Sequence, residues 1–411
     1  MANKLLTPSV IAKEALMQVE NNLVFGNRVH REYKKEFVKV GDTVSIRRPV
    51  KFYAADGATL QKQDVEEGNV SIKVDQRKHV GWEFNTRDLT LSIEEYSKRY
   101  IEPACITLAQ VVDRSIANQY FKFWNFVGTP GTTPSSFAHL AGAAQRLDEM
   151  AVPAKPRNAV MNPAAGWSLA GGQTALYMAD VAKGAYREGT IGDIAGFDTF
   201  RSQNVANHIV GTKAGTPLVN GASQNVTYQS IANSGNKQTL VTDGWTASSA
   251  VLKKGDVFTI AGVYAVNPVP GEGATGKQQM PYLQQFTVLA DATADGTGNA
   301  TLTIAPAIIA SGAQQTVSAA PADNAAITVV TGTAGVAYPQ NLAFARNAIA
   351  LVNVPLVMPD GASFKAQESH DGLSIRVIKD YDITNDVEII RLDIMFGVDV
   401  IYGDLGARIT G

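Results

Sequence analysis

The residues able to do chemistry are few and scattered. The five histidines are His30, His79, His139, His208 and His370. No two are close and no His-Glu-x-x-His pair exists, so a zinc site would have to gather ligands from distant segments. The one cysteine, Cys105, excludes an intrachain disulfide framework, and its place in an apolar helical run predicts a buried thiol, not a nucleophile. No G-x-x-x-x-G-K-S/T phosphate loop and no strand-linked G-x-G-x-x-G fingerprint is present. Gly271-Glu272-Gly273-Ala274-Thr275-Gly276 matches neither spacing and reads as a hairpin tip. Gly166-Trp167-Ser168-Leu169-Ala170-Gly171 is not a nucleophile elbow, so Ser168 reads as an ordinary helix residue. Asp371, Asp380, Asp382, Asp386 and Glu388 lack the spacing of a calcium loop and are expected to form a solvated loop. A carboxylate-dependent hydrolase would need two acids to meet in space, and nothing in the sequence selects a pair. No catalytic, metal or cofactor residue is assigned.

One local run is electropositive: Arg28, Arg31, Lys34, Lys35, Lys39, Arg47, Arg48 and Lys51, interleaved with Glu32, Glu36 and Asp42. Its first reading is a solvated or intersubunit ion-pairing surface. Its second is sequence-independent contact with a polyanion. Over all 411 residues, 36 basic side chains face 38 acidic ones, which is not the basic excess of a nucleic-acid reader. With 45% hydrophobic and 18% charged residues, the chain is no disordered polymer, and its length suits two or three domains. There is no convincing signal peptide and no apolar run long enough for a membrane helix. The expectation is a soluble protein, made in a reducing compartment and unconnected with a membrane.

Charge also separates the elements that must hold these residues. Residues 1–120 carry 34 of the 74 charged side chains, whereas residues 201–350 carry 13. Pro8 onward reads as an amphipathic arm with a loose stripe of Val10, Ala12, Leu16, Val19 and Leu23. Residues 47–91 read as a charged two-stranded excursion, with Val70, Ile72 and Val74 and then Val80, Trp82 and Phe84 alternating. Such a hairpin is marginal alone and needs support from the rest of the molecule or from another one. Ser92 and Glu95 have capping-box spacing. From Ile101, the recurrence of Cys105, Leu108, Val112, Ile116 and Phe123 predicts a spine helix of about 24 residues, with Pro103 either kinking it or marking a second start.

Short helices are expected after Ser136, after Asn162-Pro163 and over Leu176–Lys183, with a core strand at Asn158–Met161. From 211 to 340 there is no helical signal. Val226/Tyr228, Gln238/Leu240, Val257/Thr259, Phe286/Val288, Leu302/Ile304 and Ile327/Val329 mark strands of a small barrel or sandwich. Leu342, Ala345, Ala348 and Ile349 predict another short helix, Leu373, Ile375 and Val377 alternate, and the alternation of Ile390 to Val400 is the clearest strand. Two α+β stretches flanking an all-β one imply a module inserted at a surface loop of one parent domain. An adhesin-like or carbohydrate-binding module would explain 211–340, but not the charged arm and the spine helix.

Charged projections without a core of their own fit an obligate assembly. Tyr186-Arg187-Glu188-Gly189-Thr190-Ile191, the following Ala195-Gly196-Phe197-Asp198 and Arg201-Ser202 resemble the major capsid proteins of tailed bacteriophages, specifically the gene 5 coat proteins typified by Salmonella phage P22. Leu252-Lys253-Lys254-Gly255-Asp256-Val257-Phe258-Thr259-Ile260-Ala261-Gly262-Val263 resembles a strand–turn segment of that family's inserted domain, and Arg376-Val377-Ile378-Lys379-Asp380-Tyr381-Asp382 is less specifically similar. The resemblance implies an α+β, HK97-like phage capsid fold with an inserted all-β domain. It implies an N-terminal arm at 1–35, a strand and extended E-loop over 36–91, and a spine helix over 92–129. It implies an axial domain at 130–210 and 341–411, the latter with a peripheral-domain strand, and an inserted domain at 211–340. The long Ala/Gly/Thr-rich segment around 290–335 departs from the family.

The implied function is assembly, not catalysis: a homo-oligomer of pentamers and hexamers in a virion capsid, built in the bacterial host cytoplasm. The implied partners are a scaffolding protein, a portal protein and packaged double-stranded DNA at non-specific proximity, with room for a decoration protein. The candidate intersubunit contacts are Arg28, Arg31, Lys34, Lys35, Arg47, Arg48, Lys51, Asp56, Asp64, Glu66, Glu67, Pro270, Glu272 and Lys277.

Overall fold

Period-two alternation makes Val387–Val400 a strand of 14 residues. Ile390, Leu392, Ile394 and Phe396 share one face and are buried. The strand lies between Leu373–Asp382 and Gln76–Asn85, antiparallel to both. Phe364–His370 and Ile349–Asn353 complete the sheet. The computed structural model describes residues 8–31, 43–47, 50–52, 58–60, 62, 68–85, 97–174, 187–188, 191–228, 236–268, 277–362, 364–385 and 387–411. The chain divides into two compact units, and this sheet belongs to the first, formed by Met1–Ser45, Ser71–Ala117 and Ile349–Asp399.

Among the described residues, two α-helices pack in the first unit. Helix α1, Pro8–Asn22, buries Ile11, Ala12, Ala15, Leu16 and Val19 on one face and leaves Val10 and Met17 exposed on the other. Burial of each large side chain is worth about 1.5–3 kcal/mol. Helix α2, Glu102–Ala117, buries Cys105, Leu108, Val112 and Ile116 at three- and four-residue spacing. Pro103 is its second residue, where a missing N–H costs nothing. A π turn at Ser97–Ile101 precedes it and a 3-10 turn at Asn118–Lys122 follows. The spine is therefore 16 residues of α-helix with irregular ends, not one helix of about 24. The Ser92–Glu95 box lies outside the described residues.

The second unit comprises Ile46–Val70, Asn118–Ala348 and Val400–Gly411. Its first part is a mixed sheet in the order Asn125–Val127, Gly406–Ile409, Asn341–Ala345, Arg157–Met161, Phe197–Arg201, Asp193–Ile194. Helices α3, Phe137–Glu149, and α4, Pro163–Gln173, cover it through Leu140, Leu147, Leu169 and Phe197. Both starts follow local chemistry. His139 Nδ1 accepts the Ser136 amide at 3.3 Å, and Asn162 Oδ1 accepts the Ala165 amide at 3.1 Å, with Pro163 opening the helix.

The rest of the unit is an antiparallel sheet in the order Ile327–Val329, Val257–Val266, Gln279–Val288, Ala300–Ala305, Gln238–Trp245, Gly215–Val219. A bridge between Leu218 and Ala326 joins its first strand to its last, closing a six-stranded barrel. Val219, Leu240, Phe258, Phe286, Leu302 and Ile304 fill the barrel and are fully buried.

Several expectations are overturned. Asn341–Ala345 is a strand, not a helix: it sits between two other strands and all five residues are buried. Short apolar runs buried on both faces carry no usable period. Val226 and Tyr228 lie outside any strand. The two halves of the charged excursion do not pair with each other. Asn69–Lys73 pairs with Thr43–Arg47, and Gln76–Asn85 runs along Val387–Phe396 for ten residue pairs. Nor are the late acids all solvated. Asp371 is exposed beside Arg31, as expected, but Glu388 stands half-buried in a strand and bridges to Lys379 at 2.6 Å. Leu176–Lys183 lies outside the described residues.

Candidate functional site

The densest polar constellation lies where the chain leaves the mixed sheet for the barrel and returns. Outgoing Asn207–Ile209 pairs with returning Ala337–Pro339, His208 opposite Tyr338. Inside this neck stands Asp256, at the start of a barrel strand and fully buried. Its Oδ1 accepts from His208 Nε2 at 2.8 Å and from Thr331 Oγ1 at 2.9 Å. Its Oδ2 accepts from the Lys253 amide at 2.7 Å and the Gly211 amide at 2.9 Å. Burial acts to raise this carboxyl; the bonds from His208 and from the Lys253 and Gly211 amides outweigh it and hold the group below the usual carboxylate range. An ionised carboxylate has no proton to give, so His208 Nε2 donates to it and Nδ1 faces the Tyr120 hydroxyl, 3.0 Å away.

Arg408 completes the neck. It is a lone cation in a four-residue strand and has no exposed surface. Its Nη1 donates to the Gly255 carbonyl at 2.6 Å, Nε to Phe123 at 2.8 Å, and Nη2 to Thr287 Oγ1 at 2.9 Å. Thr287 Oγ1 in turn donates to the Phe121 carbonyl at 2.7 Å. Burial pulls Arg408 down to about 10, against the opposing pull of Tyr120 and Asp256. It therefore stays charged at neutral pH. A guanidinium suits this place because its planar fork serves several carbonyls at once.

Tyr120, His208 and Asp256 have the connectivity of a proton relay but not its surroundings. His208 is 1% exposed, and the four donors on Asp256 leave it no free lone pair. The arrangement can clamp. It ties the barrel base, the neck strands and the 120–123 turn with charge-assisted bonds, each worth about 1.5–3 kcal/mol.

The expected contact residues fare unevenly. Lys34, Lys35, Arg48, Asp56, Asp64, Glu66, Glu67, Pro270 and Glu272 lie outside the described residues, and Arg47 is described only through its backbone. Arg28 is half-buried. Arg31 is 7% exposed and paired with Asp371, so it is not part of an open basic face. Lys51 and Lys277 do come together. Lys51, Asp404 and Gln315 border a cavity of about 40 Å³, and Lys277 Nζ donates to the Gln315 carbonyl at 3.0 Å. Burial and then the Lys51 ammonium push Lys277 down to about 8, with Asp404 opposing them.

The neck itself was not legible in advance. Asp256 and Gly255 fall in the Leu252–Val263 segment singled out above, but of their neck partners only Lys253 is local; Gly211, His208, Thr331 and Arg408 lie 45, 48, 75 and 153 residues away and carry no motif. Among the described residues, no three His, Cys, Asp or Glu side chains are placed to hold a metal ion, and no helix is long and apolar enough to cross a membrane.

Comparison with known proteins gives this architecture a family. A family model described as P22 coat protein, gene protein 5, matches residues 1–411. The major capsid protein of Acyrthosiphon pisum secondary endosymbiont phage 1 is 22% identical over 410 residues, covering 96% of each chain. Among solved structures, one of Mycobacterium phage Che8 covers 94% of this chain and 90% of its own at 16% identity, with a TM-score of 0.46. The capsid structure of Cyanophage P-SCSP1u covers 94% and 87% at 11% identity, with a TM-score of 0.45. Matched from its first residue to its last, the chain belongs to the P22 coat protein family, the structural subunits of phage capsids.

Proposed function

We propose that the chain closes as pentamers and hexamers into the shell of a tailed-phage virion around double-stranded DNA. In this reading it works by assembly, with no catalytic step and no cofactor. The family match over all 411 residues carries the proposal. The saturated neck supports it, since the most enzyme-like constellation of the second unit has every lone pair of its acid committed to structure. Residues 1–35 would be the arm, 36–91 the strand and E-loop, and 92–129 the spine. Residues 130–210 and 341–411 would be the axial domain with its peripheral strand, and 211–340 the inserted domain. Lys51 and Lys277 are the described candidates for contact with a neighbouring copy. Assembly would take place in the host cytoplasm around a scaffolding protein and a portal, with any decoration protein added to the finished shell.

The test is negative-stain electron microscopy with light scattering on the chain co-expressed with its neighbouring viral genes. Closed shells tens of nanometres across are expected. Material that stays monomeric or dimeric under those conditions would overturn the reading.

A further inference from the structure

At one place in the sheet of the first unit, three arginines gather around a single buried acid. Asp393, fully buried in Val387–Val400, stands opposite Arg376 on one side and His79 on the other. Arg376 alone answers its charge, donating from Nη2 at 2.6 Å and Nε at 3.2 Å, while its Nη1 donates to the Val357 carbonyl at 2.6 Å. Two further guanidinium groups nevertheless reach the same carboxylate. Arg391 Nε donates to Asp393 Oδ1 at 2.8 Å, and Arg77 Nη2 lies 3.8 Å from that oxygen. Three arginines to one buried acid leave a local charge of +2.

These two outer arginines differ from Arg376 in being accessible. Their side chains are 48% exposed for Arg77 and 38% for Arg391, against 8% for Arg376. Each meets Asp393 through one nitrogen, and neither has another partner among the described residues. Register places them on one face: Arg77 is opposite Met395, His79 opposite Asp393, and Gly81 opposite Arg391. Gly81 puts no side chain over the Arg391 guanidinium. The carboxylates of that face lie to either side of the pair: Glu83 and Asp380 at the Ile389 rung, Asp382 at the Val387 rung, and Asp399 towards the other end of the same strand. Asp393 thus holds Arg391 by Nε and leaves both of its Nη nitrogens for the bidentate geometry that arginine offers a phosphate, with the half-exposed Arg77 guanidinium 3.8 Å from the same oxygen.

We propose that Arg77 and Arg391, oriented by Asp393, form a phosphate-binding subsite that takes the phosphodiester backbone of duplex DNA. The phosphate chemistry follows from the geometry; the choice of duplex DNA as its source rests on the capsid reading. Contact of this kind is independent of base sequence and salt-dependent, with each neutralised phosphate contributing about 0.9 to the slope of log affinity against log salt.

The test is binding of a short labelled DNA duplex of arbitrary sequence to the unassembled full-length chain across a salt series. In R77Q/R391Q the slope should fall by about two and the affinity by about ten-fold or more near 0.1 M salt. R77K/R391K keeps both charges and should keep most of the slope, which separates loss of contact from loss of fold. K13Q, on an exposed face of α1, should change neither. An R77Q/R391Q protein that binds with wild-type slope and affinity would overturn the subsite. Binding of inorganic phosphate that needs both arginines, in a chain indifferent to duplex, would overturn DNA as the source. Neither result depends on whether shells form, so failure here and failure of the capsid reading remain distinguishable.

Discussion

Asp113 shows how one buried carboxylate ties the arm to the spine helix. It is 1% exposed, and its oxygens accept the Val24 amide at 2.7 Å and the Gly26 amide at 2.9 Å. Burial outweighs these bonds and pushes the group up to about 6 from 3.8. Between those two values the folded chain holds a proton that the unfolded chain has lost, so stability falls as pH rises through the window. The shift of about two units corresponds to about 3 kcal/mol. Acid therefore tightens this junction instead of releasing it. Urea titrations should show the wild type losing about 2 kcal/mol relative to D113N between pH 4 and pH 7. D113N has no charge to desolvate, so its own curve should lack this component. Parallel pH profiles for the two proteins would show that Asp113 is not the group responsible.

At the level of elements, the turn into the strand Val257–Val266 depends on Gly255. Its φ is +103°, and a Cβ there would lie 2.9 Å from Tyr120 Cε2 and 3.1 Å from His208 Nδ1. G255A should therefore cost about 2–4 kcal/mol, from backbone strain and overpacking together. Gly262 has φ +79° with open space around it, so G262A should cost only the strain. Equal losses in thermal unfolding would mean that the neck tolerates an added methyl group. The same elements mark what sequence could reveal. Val387–Val400, the barrel strands of Phe286 and Leu302, and the starts of α3 and α4 were legible because period or capping is written locally. Asn341–Ala345 was not, because a strand buried on both faces has no polar side to betray its period. The phage-capsid resemblance came from local runs such as Phe197-Asp198, whereas the neck and the Asp393 cluster join residues whose meeting only the fold decides. Of the expected basic run, Arg31 is spent on Asp371, while the accessible guanidinium groups of Arg77 and Arg391 stand on two strands that only the fold brings side by side.

For the molecule as an assembling subunit, the question is how the barrel is attached to the mixed sheet of the second unit. Each has its own apolar core, one around Phe258 and Phe286, the other around Leu147 and Phe197. Between them the bonds are largely polar and made to backbone. Gln285 closes a reciprocal pair with Phe126, accepting its amide at 2.7 Å and donating to its carbonyl at 2.9 Å. This side chain occupies the outer edge of the strand Asn125–Val127, an edge that would otherwise offer unpaired backbone groups. Thr287 and Arg408 hold the 121–123 carbonyls next to it. Q285A and T287V should each cost about 1–3 kcal/mol, because each strands buried backbone groups without touching either core. Hydrogen exchange should then be local: the Phe126 amide loses protection while Leu302 and Ile304, inside the barrel, keep theirs. If the barrel amides lose protection together with Phe126, the two cores unfold as one, and the polar seam is not a separable attachment. If the exchange is local, shells should fail to close in Q285A/T287V although the barrel remains folded, because a subunit whose two cores move independently cannot hold one fixed angle between neighbours.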